Sequence, residues 1–302
     1  MSDQVNLTYI IATRNRLPFL KITLGRLLKE ILPGEEIVVV DGTSTDGTKE
    51  YLQLLLEQNK IHQYISEPDK NQAHGWNKAL LMAKGTIIKK IIDDDVFCYS
   101  AIRKCSDYML QNPAIDVMLS NDLNSNLDDH KNITQSSRLA QFEKWNIGEL
   151  PSFTFGDVHI LIRKSALAYI GLYNTSFTMM DWEYSLRISY LKANIAYYTG
   201  YNALSVAHPQ SITSLKDTDK ITKQGKRGEV FYEYAGDDTD ISLWSKIKIF
   251  IGTRLPSLKP GIADKKAITV ENVVSIYEHY YEHINQLNDS LQATFIPRNN
   301  PN

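Results

Sequence analysis

The sequence has little cysteine. Cys98 and Cys105 are the only two among 302 residues, too few for a disulfide framework. The opening MSDQVNLTYIIATRNR also lacks the charged-then-apolar layout of a secretion signal, so a reducing, cytoplasmic setting is expected. No apolar run approaches the roughly 20 residues that a membrane-spanning helix needs, which leaves peripheral contact as the only membrane role. Charge of one sign is lacking too: 33 Lys and Arg stand against 35 Asp and Glu, and a net charge of −2 gives no steering toward nucleic acid. Neither a G-x-G-x-x-G nor a P-loop spacing occurs, which excludes the common dinucleotide-binding and NTPase classes.

What is present is a 43% hydrophobic content, enough to fill the core of one large α/β domain or two small ones. Short apolar runs alternate with helical spacing, the pattern of βαβ units and a mainly parallel sheet. Leu7 to Ala12 reads as the first strand, and Pro18 with Leu20, Leu24, Leu27, Leu28 and Ile31 as a helix stopped by Pro33-Gly34. Ile37 to Val40 is a buried strand, Asp41 to Thr48 a turn-rich loop in which Thr48 is placed to cap the next helix. His62 to Ser66, a helix near Gln72 to Lys84, and Thr86 to Ile92 continue the alternation. Beyond Asp116 to Ser120 the pattern loosens into a polar stretch, Asn121 to Gln135, read as an acceptor-side loop or excursion. Val158 to Ile162 is a strand leading to a helix that ends near Gly171, and Asp181 to Lys192 is a further helix. After about Thr213 the composition changes, which predicts a domain over 1–215 and a mostly helical extension over 216–302, with a polar helix around Glu271 to Leu287.

Right-handed crossovers put the loops that follow the strands on one sheet edge, where ligands of open α/β sheets bind. Three such loops are polar: Thr13 to Arg16, Asp41 to Asp46 and Asp93 to Asp95. Adjacent carboxylates at the end of a buried strand repel, and a cation or a proton must neutralise them. Hard oxygen ligands of this kind suit Mg2+ or Mn2+, whose shells are completed by substrate phosphates; taken alone, the triplet reads more readily as a solvated acidic turn, since such runs are usually surface loops.

Context decides between them. The ordered strings Thr8-Tyr9-Ile10-Ile11-Ala12-Thr13-Arg14-Asn15-Arg16, Val38-Val39-Val40-Asp41-Gly42-Thr43-Ser44-Thr45-Asp46-Gly47-Thr48, Ser66-Glu67-Pro68-Asp69-Lys70, Asn77-Lys78-Ala79 and Asp93-Asp94-Asp95 resemble the family 2 glycosyltransferases. So do Leu161 to Ala166 through Gly171-Leu172-Tyr173, and Asp181-Trp182-Glu183-Tyr184-Ser185-Leu186-Arg187. The resemblance spans roughly residues 5 to 215.

It implies a GT-A fold, a Rossmann-like sheet flanked by helices, and an inverting transfer of sugar from a nucleotide diphosphate, UDP being the common carrier, to a saccharide or lipid-linked saccharide in cell-surface glycan synthesis. It carries nucleotide binding to Thr13, Arg14, Asp41, Asp69, Asn77, Lys78, Asp93 and Asp94, and metal binding to Asp93, Asp95 and His208. Ordinary turn and cap chemistry competes for the Thr and Asp positions, and a structural hydrogen bond for His208. Asp181 matches the general base, although Met180 stands where the family usually has glutamate; the alternative is that Asp181 caps its helix. Trp76 and Trp182 are placed either to stack on sugar or base or to pack the core.

Two rival activities are a sugar-1-phosphate nucleotidyltransferase, disfavoured because Ala12-Thr13-Arg14-Asn15 lacks glycines, and a non-catalytic nucleotide-sugar-binding protein, raised by Met180. His279-Tyr280-Tyr281-Glu282-His283 fits an inverted zinc-peptidase spacing, but no later Glu completes it, and it reads as a solvated helix face. The segment Leu243 to Leu255 places Leu243, Trp244, Ile247, Phe250, Ile251 and Leu255 near one face beside Lys246, Lys248 and Arg254. A peripheral contact with the cytoplasmic leaflet, packing on the catalytic domain and a homodimer contact all remain open for it.

Overall fold

The computed structural model describes residues 5–208, 218–234, 236 and 270–299. The first half is the expected alternation. Strands β1 (Leu7–Thr13), β2 (Glu35–Asp41), β3 (Gln63–Ser66) and β4 (Ile87–Lys90) are separated by helices α1 (Leu17–Glu30), α2 (Thr48–Glu57) and α3 (Gln72–Met82). They pair in parallel, with Tyr9 opposite Ile37 and Lys89, and Val39 opposite Tyr64. Both faces of β1 are buried, which is why it reads as a continuous apolar run: Tyr9 and Ile11 face one core cluster with Leu20, Leu24 and Leu27, and Ile10 the other with Trp76 and Leu80. Pro18 lies in the first turn of α1, where its missing N–H costs nothing. Thr48 is the first residue of α2 rather than its cap; Asp46 takes the capping part, accepting from the Thr48 N–H at 3.2 Å and hydroxyl at 2.6 Å.

The second half departs from the alternation. It contains β5 (Val96–Phe97), α4 (Tyr99–Gln111), β6 (Val117–Asn126), β7 (Asp129–Ser136), α5 (Leu139–Asn146), β8 (Ile160–Arg163), α6 (Leu167–Ile170), α7 (Met180–Tyr190) and β9 (Ile195–Ala207). The polar stretch from Asn121 to Gln135 is no loose excursion. Most of it forms the β6–β7 hairpin, hidden from a reading of apolar alternation because β7 is exposed along almost its whole length. The strand expected from Val158 starts only at Ile160, after a 3-10 turn at Asp157–His159.

Helices α8 (Thr218–Phe231) and α9 (Val270–Ser290) and a short strand β10 (Phe295–Ile296) complete the described chain. The order across the sheet is β10-β9-β6-β8-β4-β1-β2-β3. The α9 helix, expected as part of an appendage, is built into the core: Val273, Tyr277, Tyr280, Tyr281 and Ile284 are buried at helical spacing in the cluster that holds Tyr9 and Leu24. Asn288 clamps it to β9, accepting from the Tyr201 N–H at 3.0 Å and donating to the Tyr201 carbonyl at 2.7 Å. Leu243 to Leu255 lies outside the described residues. No described helix is long and apolar enough to cross a membrane.

Candidate active site

A cavity of about 830 Å³ opens where the parallel strands β4-β1-β2-β3 meet the mixed half of the sheet. That size suits a small organic ligand, and the position is a switch point of strand order. Ala12, Thr13, Arg14 and Arg16 line it from the end of β1, Asp69 to Gln72 from the start of α3, and Asp93, Asp94 and Asp95 from the end of β4. Asp122, Asn124, Ser136 and Arg138 face it from the β6–β7 hairpin, Asp157 and His159 from the 3-10 turn, and Met180 and Asp181 from the first turn of α7.

The aspartate run is held from four sides. Thr13 Oγ1 donates to Asp93 Oδ2 at 2.6 Å, and the Arg16 guanidinium pairs with Asp94 Oδ2 at 2.7 Å. The Val206 N–H, on β9, donates to Asp95 Oδ1 at 2.8 Å, and the Tyr277 hydroxyl of α9 donates to the Asp94 carbonyl. All three side chains are buried. Burial and the neighbouring Asp94 push the Asp93 carboxyl up to about 7 and the Asp95 carboxyl well above its ordinary range.

The remaining expected residues divide. Asp69 is on the cavity wall, its carboxylate so close to α3 that a Cβ at Gly75 would lie 2.7 Å from Oδ2. Lys78 is not on the wall; its ammonium pairs with Asp69 at 3.1 Å and with Glu67 at 3.3 Å. Asp41 is fully buried off the wall, accepting from Ser44 and, at 2.7 Å, from the Ser66 hydroxyl, so it shapes its loop. Asn77 clamps the Tyr173 backbone with bonds of 2.9 and 2.8 Å. His208, expected at a metal or diphosphate, meets Asp94 Oδ2, within the aspartate run, at 2.7 Å and stacks on Phe19 at 4.8 Å.

Asp181 is on the wall in the first turn of α7, two residues past the N-cap position, Met179. The helix N-terminus favours its ionised form. Met180 is buried in the apolar cluster of Trp76, Tyr173 and Tyr184, a packing position that a glutamate would not fill without a partner. Trp76 lies on the cavity wall, whereas Trp182 packs against Gly228 of α8 and edge-on to Tyr234 at 6.0 Å.

Several wall residues had escaped the sequence reading. Lys90 on β4 pairs with Asp157, which also accepts from the Tyr173 hydroxyl at 2.8 Å, and its ammonium lies 4.4 Å from the Trp76 ring centre. Its neighbour Lys89, on the opposite face, is fully buried against Asn202 at 2.9 Å, and burial pulls its ammonium down to about 7. Two adjacent lysines in an otherwise apolar strand were the available signal. His159 and Asp122 face each other at 3.5 Å, and Arg138 stands 3.8 Å from the same carboxylate.

Among the described residues no three His, Cys, Asp or Glu side chains converge to enclose a metal by themselves. The donor chemistry nevertheless fits Mg2+ or Mn2+ bound through one or two carboxylates, Asp93 and Asp95, with phosphates supplying the rest.

The profile of Glycosyl transferase family 2 matches residues 8–171, more than half of the 302-residue chain. TuaG of Bacillus subtilis (strain 168), whose name assigns it to teichuronic acid biosynthesis as a glycosyltransferase, is 28% identical over 103 residues. The match covers 34% of this chain and 41% of TuaG, so the chain aligns with about two fifths of that relative. The crystal structure of S. aureus TarS 1-349 in complex with UDP-GlcNAc superposes with a TM-score of 0.55 at 16% identity, over 92% of each chain. The mannosyltransferase PcManGT from Pyrobaculum calidifontis, in complex with GDP-Man and Mn2+, gives 0.51 at 15% identity, over 94% of this chain and 87% of that one. At these identities the likeness is one of fold, the expected GT-A type.

Proposed function

The chain belongs to glycosyl transferase family 2, and from that premise we propose that it is a glycosyltransferase that moves a sugar from a nucleoside diphosphate, with inversion, to a hydroxyl of a saccharide or lipid-linked saccharide in cell-surface polysaccharide synthesis. The observation that carries this reading is one cavity holding both the buried aspartates after β4 and Asp181 at the start of α7. The ligands named for TarS and PcManGT, UDP-GlcNAc and GDP-Man, support a nucleotide sugar as donor, and UDP is the carrier chosen. The name of TuaG supports the cell-surface polysaccharide setting.

In this reading Thr13, Arg14 and Asp69 line the nucleotide seat. Asp41, Asn77 and Lys78 act behind it, by holding the loops that carry those residues. Asp93 and Asp95 hold the divalent ion, and Asp94 is kept in line by Arg16 and His208. The ion, when bound, supplies Lewis-acid stabilisation of the departing diphosphate. Asp181 takes the proton from the acceptor hydroxyl as that oxygen attacks the anomeric carbon from the face opposite the leaving group. Residues 1–215 form the catalytic unit and 216–302 an extension, whose helix α9 buttresses the aspartates. The enzyme works from the cytoplasmic side, and any membrane contact is peripheral.

Thermal shifts with UDP and GDP, each with and without Mn2+, test the donor reading. A nucleotide at about 100 times its Kd adds roughly 2.7 kcal/mol to the folded state, and the shift should appear with Mn2+ and shrink without it. A melting temperature indifferent to both nucleotides in the presence of Mn2+ sinks the reading.

A further inference from the structure

The mixed half of the sheet contributes its own polar wall to the cavity, separate from the loops assigned to the nucleotide. Asp122 lies on β6, His159 in the turn before β8 and Arg138 just after β7. The hairpin is pinned in place: the Arg138 N–H donates to the Tyr197 hydroxyl at 3.0 Å, and that hydroxyl donates to Asn121 Oδ1 at 2.7 Å. It also runs close to the aspartates, because Asn124 stands opposite Ser205 in the β6–β9 register, one residue from the Val206 N–H that holds Asp95.

Two of these side chains are almost fully buried and incompletely used. His159 is 2% exposed and Asp122 7% exposed, yet both line the cavity. His159 Nδ1 and Asp122 Oδ1 are buried atoms without a hydrogen-bond partner; the other imidazole nitrogen, Nε2, stands 3.5 Å from that oxygen, too far to satisfy it. Burial, with Lys89 and Arg138 nearby, pushes the imidazole down to about 3, so it is neutral and offers one donor and one acceptor nitrogen. Leaving buried polar atoms unpaired costs free energy, and on the wall of an open cavity a ligand can relieve that cost.

The mixture of groups selects the ligand class. A carboxylate accepts, a guanidinium donates and a neutral imidazole does both. Each hydroxyl of a pyranose also both donates and accepts, so neighbouring hydroxyls match this wall. A phosphate or carboxylate would face Asp122, and an apolar ligand would leave every atom unpaired. The nucleotide candidates hang from β1, α3 and β4, on the other side of the β4–β8 boundary.

We propose that Asp122, His159 and Arg138 form the seat of the acceptor sugar, gripping hydroxyls of a pyranoside in the same cavity that carries Asp181. The proposal rests on the glycosyltransferase reading and adds where its second substrate sits.

Saturation-transfer NMR on the full chain tests it, with UDP or GDP plus Mg2+, the diamagnetic ion, and a panel of methyl pyranosides of glucose, galactose, mannose and N-acetylglucosamine. At least one pyranoside should receive saturation. Asp122→Asn and, separately, His159→Gln should weaken its affinity by roughly tenfold or more, while nucleotide affinity stays within about twofold. A melting temperature at or above that of the unmodified protein confirms that each variant is folded. Pyranoside signals that survive both substitutions overturn the seat, as does a panel that is silent while the nucleotide is saturated. A silent nucleotide beside a responding, substitution-sensitive pyranoside upholds the seat and overturns the donor reading instead.

Discussion

The parallel half of the sheet and its mixed half meet at the β4–β8 boundary and build the same cavity by different means. On the parallel side β1 is apolar along both faces apart from a few buried polar groups, and most of the chemistry sits at or just past the carboxyl ends of β1 and β4: Thr13, Arg16 and Asp93 to Asp95, with Lys90 at the last position of β4. On the mixed side the polar groups sit within or beside the strands themselves, as Asp122 and Asn124 do in β6 and Ser205 in β9. The lesson is that a parallel layer covered by helices delivers its ligand groups at predictable places, whereas a layer of mixed strand direction can put them at positions along the strands.

If that division separates donor from acceptor chemistry, substitutions on the two sides should fail differently. The largest effect is expected at Asp181, on the mixed side. Asp181→Asn should lower transfer by roughly two to four powers of ten while leaving nucleotide affinity within about twofold, the pattern of a lost general base. Turnover close to that of the unmodified enzyme in steady-state assays would remove Asp181 from the mechanism. On the parallel side, Asp95→Ala should fail in binding. Loss of a residue that merely supports a metal ligand costs roughly 10- to 100-fold in affinity, and loss of a direct ligand at least the upper end of that range. Calorimetry giving an unchanged UDP affinity with Mn2+ would break the assignment, and with it the division of labour.

The same contrast explains what could be read from the sequence. Every element of the parallel half was legible because helical and strand periodicities alternate cleanly there, and the order of the motifs brought out Thr13, Asp69, Asp93, Asp94 and Asp95. Asp41 and Asn77 were legible as important but not as to role, since a side chain bonded to Ser44 and Ser66, or to the Tyr173 backbone, leaves the same trace as one bonded to a ligand. Lys90, Asp122 and His159 were missed because pairing across the sheet defines them: Lys90 meets Asp157 67 residues away, and Asp122 meets His159 only once β8 lies beside β6. The C-terminal helix was read close to its bounds, Val270–Ser290, but its burial was missed for a related reason. Its buried face is made of Tyr277, Tyr280 and Tyr281, whose polar tips disguise an apolar stripe.

A smaller effect, on stability, sharpens the mixed side of the comparison. Burial raises the Asp122 carboxyl from 3.8 to about 6, so the folded state holds its proton more tightly than the unfolded chain. Well below pH 3.8 the group is protonated in both states and has no influence; between about 3.8 and 6 the cost of the buried charge in the folded state grows, and above 6 that cost is constant. Asp122→Asn removes it. The variant's advantage in urea unfolding should therefore grow between pH 5 and pH 7.5 by about 1–2 kcal/mol, because each tenfold difference in proton affinity between folded and unfolded chain is worth about 1.36 kcal/mol. A variant that gains nothing over this range would mean that Arg138 already compensates the charge.

The smallest expected effect crosses between the halves. Tyr277 belongs to α9, which packs on β9, but its hydroxyl donates to the carbonyl of Asp94 at the end of β4. Tyr277→Phe keeps the ring, and with it the contact to Phe19 at 6.3 Å, and removes only that donor. A net hydrogen bond is worth about 1 kcal/mol, which for a chain of this size lowers the melting temperature by about 2 °C. Packing alone predicts that much and no more. A strut that sets the aspartate run predicts a second change: with the carbonyl released, Asp93 and Asp95 lose a fixed spacing, and Mn2+-dependent UDP affinity should fall about threefold, less than the roughly tenfold lost with a residue that bonds a metal ligand directly. An intact affinity beside the lowered melting temperature would confine α9 to the core and leave the parallel half self-sufficient in positioning its carboxylates.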